Sequence, residues 1–243
     1  MIEKTYRINS YDVNPNGLIK VSALQKYMQQ LAREDCNGYG ATYARMRSDN
    51  MVFVITKLGL EIYSDICSED VITIRTFNNK IEGVHFNREF EIFKNGEKAA
   101  AASTYWVLLD YEKRSVLRPK VFNYAITSYN AETICMDIPR RLFCHNGIGY
   151  NAGIRKVVFS DLDENNHLNN CVYSDIALDY SPIDLNEHFL IKTHIIFLNE
   201  ARLGDNLNIS VIKGENSYCL NAHNDTENRP CFEAELFFRK IEL

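Results

Sequence analysis

The segment Asp161-Leu162-Asp163-Glu164-Asn165-Asn166-His167-Leu168-Asn169-Asn170 is the densest run of chemically able side chains in the sequence. Within it Asp163, Asn165 and His167 recur at i, i+2 and i+4. In an extended segment alternate side chains point to the same side, so this spacing predicts an acid, an amide and an imidazole on one face. A strand-like run, 153–159, precedes the segment and a helix-like run, 172–180, follows it. Asn169 or Asn170 is the expected N-cap of that helix. A strand-to-helix corner sets polar side chains beside unpaired backbone N–H groups and the positive end of a helix dipole, a setting suited to a developing oxyanion. The same residue types also build ordinary solvated turns, so composition alone does not separate a catalytic corner from a polar loop.

A second copy of the pattern stands near the N-terminus. In Asp12-Val13-Asn14-Pro15-Asn16-Gly17, Asp12 and Asn14 precede Asp163 and Asn165 by 151 residues, and Asn16 stands opposite His167. A helical run and then a strand-rich run follow each copy, which predicts a duplicated domain. The first corner lacks an imidazole, so a single active site is expected, in the second half.

Residues 4–11 read as a strand entering the first corner. Val21, Leu24, Tyr27, Met28, Leu31 and Ala32 then recur at helical spacing, up to about Tyr39, where Gly38 and Gly40 stop the helix. Strands are expected over 51–62, 71–77, 84–93 and 99–109, with turns at 78–83 and at Asn95-Gly96. The second half repeats the plan. It has a strand over 150–159, the corner, a helix over 171–180, and strands over 192–202, 206–213, 218–223 and 231–239. A helix followed by consecutive antiparallel strands is an α+β pattern. If Asp70 and Asp205 correspond, the first half carries about 16 extra residues around its helix. Residues 123–135 have mixed character, either a linker helix or an irregular crossing.

At 243 residues the chain fits two domains of about 120 residues. Apolar residues make up 46% and aromatics 12%, enough for a substantial core rich in strands. A net charge of −5 argues against general nucleic-acid binding. Seven cysteines, an odd count with no CxxC, argue against structural disulfides and a zinc site. No apolar run approaches the roughly 18 residues needed to span a bilayer, and no leader-like segment opens the sequence, so a cytoplasmic protein is expected. Phosphate loops are absent, and His85, His145, His188, His194 and His223 show no ligand spacing; no cofactor or metal is expected.

The pattern Asp-Leu-Asp-x-Asn-x-His-x-Asn-Asn over 161–170 resembles the signature of the acyl-acyl-carrier-protein thioesterases, which end fatty acid synthesis in plants and have bacterial relatives. The resemblance implies a tandem double hot-dog, each half a long central helix wrapped by a curled antiparallel sheet. It implies an N-terminal hot-dog domain over 1–120 holding the acyl-chain pocket, a linker over 121–141, and a catalytic hot-dog domain over 142–243. Asp163, Asn165 and His167 match the family's active-site acid, amide and imidazole. Glu200, in Phe197-Leu198-Asn199-Glu200-Ala201, matches a further family glutamate expected in a strand. Ala201 stands where plant members often carry cysteine, which removes a cysteine nucleophile from that position. On the first helix, Met28 and Leu31 are the candidates for contact with the acyl chain.

A thioester needs a nucleophile at the carbonyl carbon, donors for the oxyanion and a proton for the thiolate. With no Gly-x-Ser-x-Gly elbow and no Ser or Cys within the acid–amide–imidazole motif, water activated by a carboxylate, or attack by the carboxylate itself, is the economical reading. The implied partner is an acidic acyl carrier protein, and Arg114, Arg118, Lys120, Arg140, Arg141, Arg155 and Lys156 are candidates for its docking. Homodimer formation is left open. The alternatives are an acyl-CoA thioesterase on the same fold, a non-catalytic acyl-binding hot-dog protein, and, less favoured, a hot-dog dehydratase.

Overall fold

The computed structural model describes residues 1–126, 136–142 and 149–240. Cys135, Cys144, His145 and most of the crossing expected over 123–135 lie outside them. The chain divides into two compact units, Met1–Asp137 and Ile138–Leu243. Each is α+β, an antiparallel sheet with few helices.

In the first unit β1 (Ile2–Arg7) precedes α1 (Val21–Gly38) and α2 (Tyr43–Ser48). β2 (Met51–Ile62), β3 (Val71–Glu82), β4 (His85–Lys94) and β5 (Glu97–Asp110) follow. The strands lie in the order β1-β3-β4-β5-β2, every neighbouring pair antiparallel. The apolar stripe of α1 is buried: Leu24 and Leu31 are fully covered and Met28 nearly so. Each such side chain contributes about 1.5–3 kcal/mol on leaving water. One turn beyond Leu31 the stripe becomes polar. Asp35 accepts from the Arg88 guanidinium on β4 at 2.8 Å, and Arg88 also donates to Thr76 on β3 at 3.2 Å. All three are buried, so this pair locks α1 to the sheet, and removing one partner costs about 3–5 kcal/mol.

Two local expectations need correction. Asn78-Asn79 is not a turn. β3 continues through it to Glu82, absorbing the irregularity as a bulge between Asn78 and Ile81, and the reversal comes at Gly83. The short helix α2 carried no periodic signal; Thr42 starts it by accepting from the Arg45 N–H at 3.3 Å.

The second unit holds β6 (Tyr150–Lys156), α3 (Val172–Asp179), β7 (His188–Phe197), β8 (Asn206–Lys213), β9 (Ser217–Asn224) and β10 (Arg229–Lys240). Its strands run β7-β10-β9-β8-β6, again antiparallel. Period-2 burial is clear on β8, where Leu207, Ile209 and Val211 are fully buried and Asn208 and Ser210 face the other way.

The two corners are built from the same hydrogen bonds. Asp12 and Asp161 each close a 3-10 turn, accepting from the N–H of Asn9 (3.0 Å) and of Val158 (2.9 Å). Their carbonyls accept from Lys20 and Asn169. Asn14 N–H donates to Leu18 C=O, and Asp163 N–H to His167 C=O. Ile19 N–H donates to Ile66 C=O, and Leu168 N–H to Ala201 C=O, both at 2.8 Å. Gly17 and Asn166 both take positive φ, 76° and 60°.

Within the corners every correspondence is 149 residues, so the 151-residue alignment is corrected. Asp12 corresponds to Asp161, Asn14 to Asp163, Asn16 to Asn165, and Leu18 to His167. Asp70 and Asp205 do correspond, each accepting from the N–H three residues earlier. The first copy is therefore 14 residues longer between Asp12 and Asp70 than the second between Asp161 and Asp205. α1 and α2 absorb the excess: α1 has 18 residues against 8 in α3, and α2 has no counterpart among the described residues.

Candidate active site

One backbone hydrogen bond assembles the site. Leu168 N–H donates to Ala201 C=O, which draws the corner against the loop following β7. His167 and Glu200, the residues just before those two, are thereby brought side by side. His167 Nδ1 lies 3.3 Å from Glu200 Oε2, with the two side chains 22% and 25% exposed. The other oxygen, Oε1, accepts from Arg202 at 3.0 Å, and the Glu200 carbonyl accepts from Arg229 at 3.2 Å. Glu200 is thus oriented at three points. It does not lie in a strand, as expected for 192–202; β7 ends at Phe197 and Glu200 sits in the loop beyond it.

Asp163, Asn165 and His167 do share a corner, but strand alternation does not put them there. The segment turns back on itself. Asn166 N–H donates to Asp163 C=O, and Leu162 bridges Leu168. Asp163 Oδ1 accepts from the backbone N–H of Asn165 at 2.8 Å and of His167 at 3.3 Å. This is the local Asx geometry that Asp favours. Among the described residues Asp163 Oδ2 meets only the Asn165 amide, at a long 3.5 Å. The Asp163 carboxylate is therefore fixed through one oxygen while the other is lightly engaged.

Asn169 serves the turn ahead of α3. Its Oδ1 accepts from Cys171 N–H at 2.9 Å, and α3 begins at Val172 without a side-chain cap. Gly153, just upstream, takes φ 138° at a bulge of β6, a conformation other residues avoid.

Among the described residues around the corner no thiol stands ready for attack. Ala201 is fully buried. The Cys231 thiol donates to Asn199 C=O at 3.5 Å, and burial pushes its pKa up to about 12. Burial likewise keeps the phenol of Tyr173, beside Cys231, protonated. Among the described residues no group of three or more His, Cys, Asp or Glu side chains could hold a metal ion.

The sequence reading missed Arg202 and Arg229. Arg202 had a signal in its i, i+2 spacing from Glu200; Arg229 had none. At the corresponding positions the first corner carries Asn14, Asn16, Leu18 and Asp65. It lacks both the carboxylate of Asp163 and the imidazole of His167. Met28 and Leu31 lie on the buried face of α1, within the core of the first unit.

Antiparallel α+β units of hot-dog-like build, with a polar corner ahead of the second unit's helix, define the class. The Acyl-ACP thioesterase N-terminal domain matches residues 1–121, and the Acyl-ACP thioesterase C-terminal domain matches residues 151–240. The chain belongs to the acyl-ACP thioesterase family.

It is similar to the chloroplastic palmitoyl-acyl carrier protein thioesterase of Arabidopsis thaliana, 21% identical over 207 residues, which cover 79% of this chain and 50% of the relative. It is also similar to that plant's oleoyl-acyl carrier protein thioesterase 2, 24% identical over 217 residues, covering 79% and 56%. The chain spans about half the length of these curated relatives. Among solved structures, an acyl-ACP thioesterase from Bacteroides thetaiotaomicron superposes with a TM-score of 0.88 at 18% identity, covering 98% of this chain and 97% of that one.

Proposed function

We propose that the protein hydrolyses the thioester of fatty acyl-acyl carrier protein, releasing free fatty acid and ending chain elongation. The contact between His167 Nδ1 and Glu200 Oε2, beside a carboxylate held by its own turn, is the observation that carries this reading. Both oxygens of Glu200 already accept donors, which suits it to orienting the imidazole more than to activating water. With Nδ1–H directed at Glu200, Nε2 becomes the basic ring atom. Asp163 Oδ2, the lightly engaged oxygen, takes the proton of the attacking water. The water oxygen bonds to the carbonyl carbon, the negative charge moves to the carbonyl oxygen, and the C–S bond then breaks. Asn165 steadies the oxyanion or the carboxylate, and His167 holds the thioester while its Nε2 takes from Asp163 the proton that the water gave up and passes it to the departing thiolate.

The proposal extends to a tandem double hot-dog in the cytoplasm, with domains over 1–120 and 142–243 joined by 121–141. The second domain is catalytic, and the first supplies the acyl-chain pocket through Met28 and Leu31. Among the described residues no helix is long and apolar enough to cross a membrane.

The test is hydrolysis of a panel of acyl-acyl-carrier-protein and acyl-CoA thioesters by the purified protein. Preference for the carrier-protein thioesters in kcat/KM is expected. Preference for the CoA thioesters would install the acyl-CoA reading, and binding without turnover would install the acyl-binding one.

A further inference from the structure

The chain as a whole is acidic, yet one end of the first unit gathers arginines held by aromatic rings. The guanidinium of Arg45 lies 5.2 Å from the centre of the Tyr124 ring. That of Arg47 lies 3.9 Å from the Tyr111 ring and 5.4 Å from the Tyr43 ring. Arg47 also donates to both of those phenol oxygens, at 2.7 Å to Tyr43. Arg33, at 5.6 Å, reaches the Tyr43 ring from α1. All three arginines are exposed.

The rings are firmly placed. Tyr124 is buried in a cluster with Met46 and Leu108, and its hydroxyl donates to Asp49 at 2.5 Å. Tyr111 N–H donates to Asn50 C=O, tying its turn to the end of α2. Among the described residues Arg45 and Arg47 form no ion pair. The carboxylates of the same stretch are used elsewhere: Asp49 takes the Tyr124 hydroxyl, and Asp110 takes the N–H groups of Glu112 and Lys113. Stacking on a ring helps to order a guanidinium without cancelling its charge, which lowers the entropy that a docking contact costs.

By contrast, two of the cations expected from the sequence to dock a partner are committed internally. Arg155 binds the buried carboxylate of Asp161, and Arg141 binds Glu233.

We propose that the Arg33–Arg45–Arg47 face, set on Tyr43, Tyr111 and Tyr124, docks an acidic surface of the acyl carrier protein. The proposal rests on the carrier-protein reading of the function. Charge complementarity selects the partner: the surface is cationic, and the carrier presents its thioester on an arm joined through an anionic phosphodiester. Such a surface raises the encounter rate and sets orientation more than it adds affinity. Its effect therefore appears with the protein-borne thioester and not with a small one.

The experiment compares wild type with R45E/R47E, and with R45Q/R47Q, which spares the fold if reversal does not. Substrates are an acyl-acyl carrier protein and the same acyl group on N-acetylcysteamine; binding of the acyl carrier protein is measured separately by fluorescence anisotropy. K213E/K240E makes the same charge change at exposed lysines of the second unit. The expected result is a fall of about 10-fold or more in kcat/KM for the carrier substrate in R45E/R47E, a smaller fall in R45Q/R47Q, and weaker carrier binding in both. Turnover of the small thioester stays within about twofold, and K213E/K240E behaves as wild type. An equal fall with both substrates, or none with either, overturns the proposal. If wild type ignores the carrier substrate in turnover, the functional reading fails on its own. Undiminished carrier binding by R45E/R47E would then separately sink the docking face.

Discussion

At the scale of single residues, Glu200 and Asp163 are two carboxylates in different situations, and the proposed roles follow from that difference. Glu200 is held by His167, Arg202 and Arg229, while Asp163 keeps one oxygen nearly unengaged. An orienting carboxylate is replaceable by a neutral acceptor of the same shape. Glu200→Gln is therefore expected to retain more activity than Glu200→Ala, which loses about 10-fold or more in kcat through a misplaced imidazole; equal losses in steady-state assays would point instead to a charged role for Glu200 in the chemical step. The cysteines give a second expectation. Cys231 is buried with its thiol pushed up to about 12, and Ala201 carries no thiol, so treatment with iodoacetamide near neutral pH leaves turnover intact. Complete inactivation by labelling of one cysteine, prevented by substrate, would restore a thiol mechanism. The acid, amide and imidazole were legible in the sequence because they sit within five residues. The partnership of His167 with Glu200 was not legible from spacing, since it depends on the hydrogen bond from Leu168 to Ala201, 33 residues further on.

At the scale of elements, the duplicated corner shows why a repeat is easy to see and hard to register. Asp, Asn and their spacing of two recur within each corner, as Asp12, Asn14 and Asn16 and as Asp161, Asp163 and Asn165. A shift of two residues therefore still matches, and only the backbone pattern decides. Helix α2 escaped notice for another reason: six residues complete fewer than two turns, too few for periodicity to register. The corrected register changes what Asp12 does. Its carboxylate accepts from Asn9 and from Tyr27, whose phenol burial and the Asp12 contact push up to about 12, so Tyr27 remains a donor at neutral pH. Asp12→Asn is expected to cost about 1–2 kcal/mol of stability, a fall of a few degrees in Tm, while kcat stays at the wild-type level. Thermal unfolding together with turnover checks this; loss of turnover in a folded variant would mean that the first corner takes part in catalysis.

At the scale of the whole molecule, the two units share a plan and differ in the helices and corner residues they carry. The first unit spends its 14 extra residues between Asp12 and Asp70 on a long α1 and an added α2, and keeps no imidazole at the corner. The second unit keeps a short α3 and the full set of Asp163, Asn165, His167 and Glu200. If α1 provides the acyl-chain pocket, exchanging Met28 or Leu31 for a smaller or bulkier apolar residue shifts the preferred chain length, because a methylene-scale change in an apolar pocket alters binding by roughly 1–3 kcal/mol. A chain-length profile of each variant tests this; a uniform loss across all lengths would leave these residues with packing alone. The α+β plan was legible in the helix-then-strands order, whereas the ion pair of Arg88 with Asp35 that locks helix to sheet was not, since nothing in sequence joins residues 53 apart. The central claim is that hydrolysis of the carrier-borne thioester runs through Asp163. Single-turnover hydrolysis of acyl-acyl carrier protein by folded Asp163→Asn, beside wild type, tests it most directly. A fall of about 100-fold or more in the chemical step, on the order of 3 kcal/mol of transition-state stabilisation, is predicted, and a wild-type rate in that variant would contradict it.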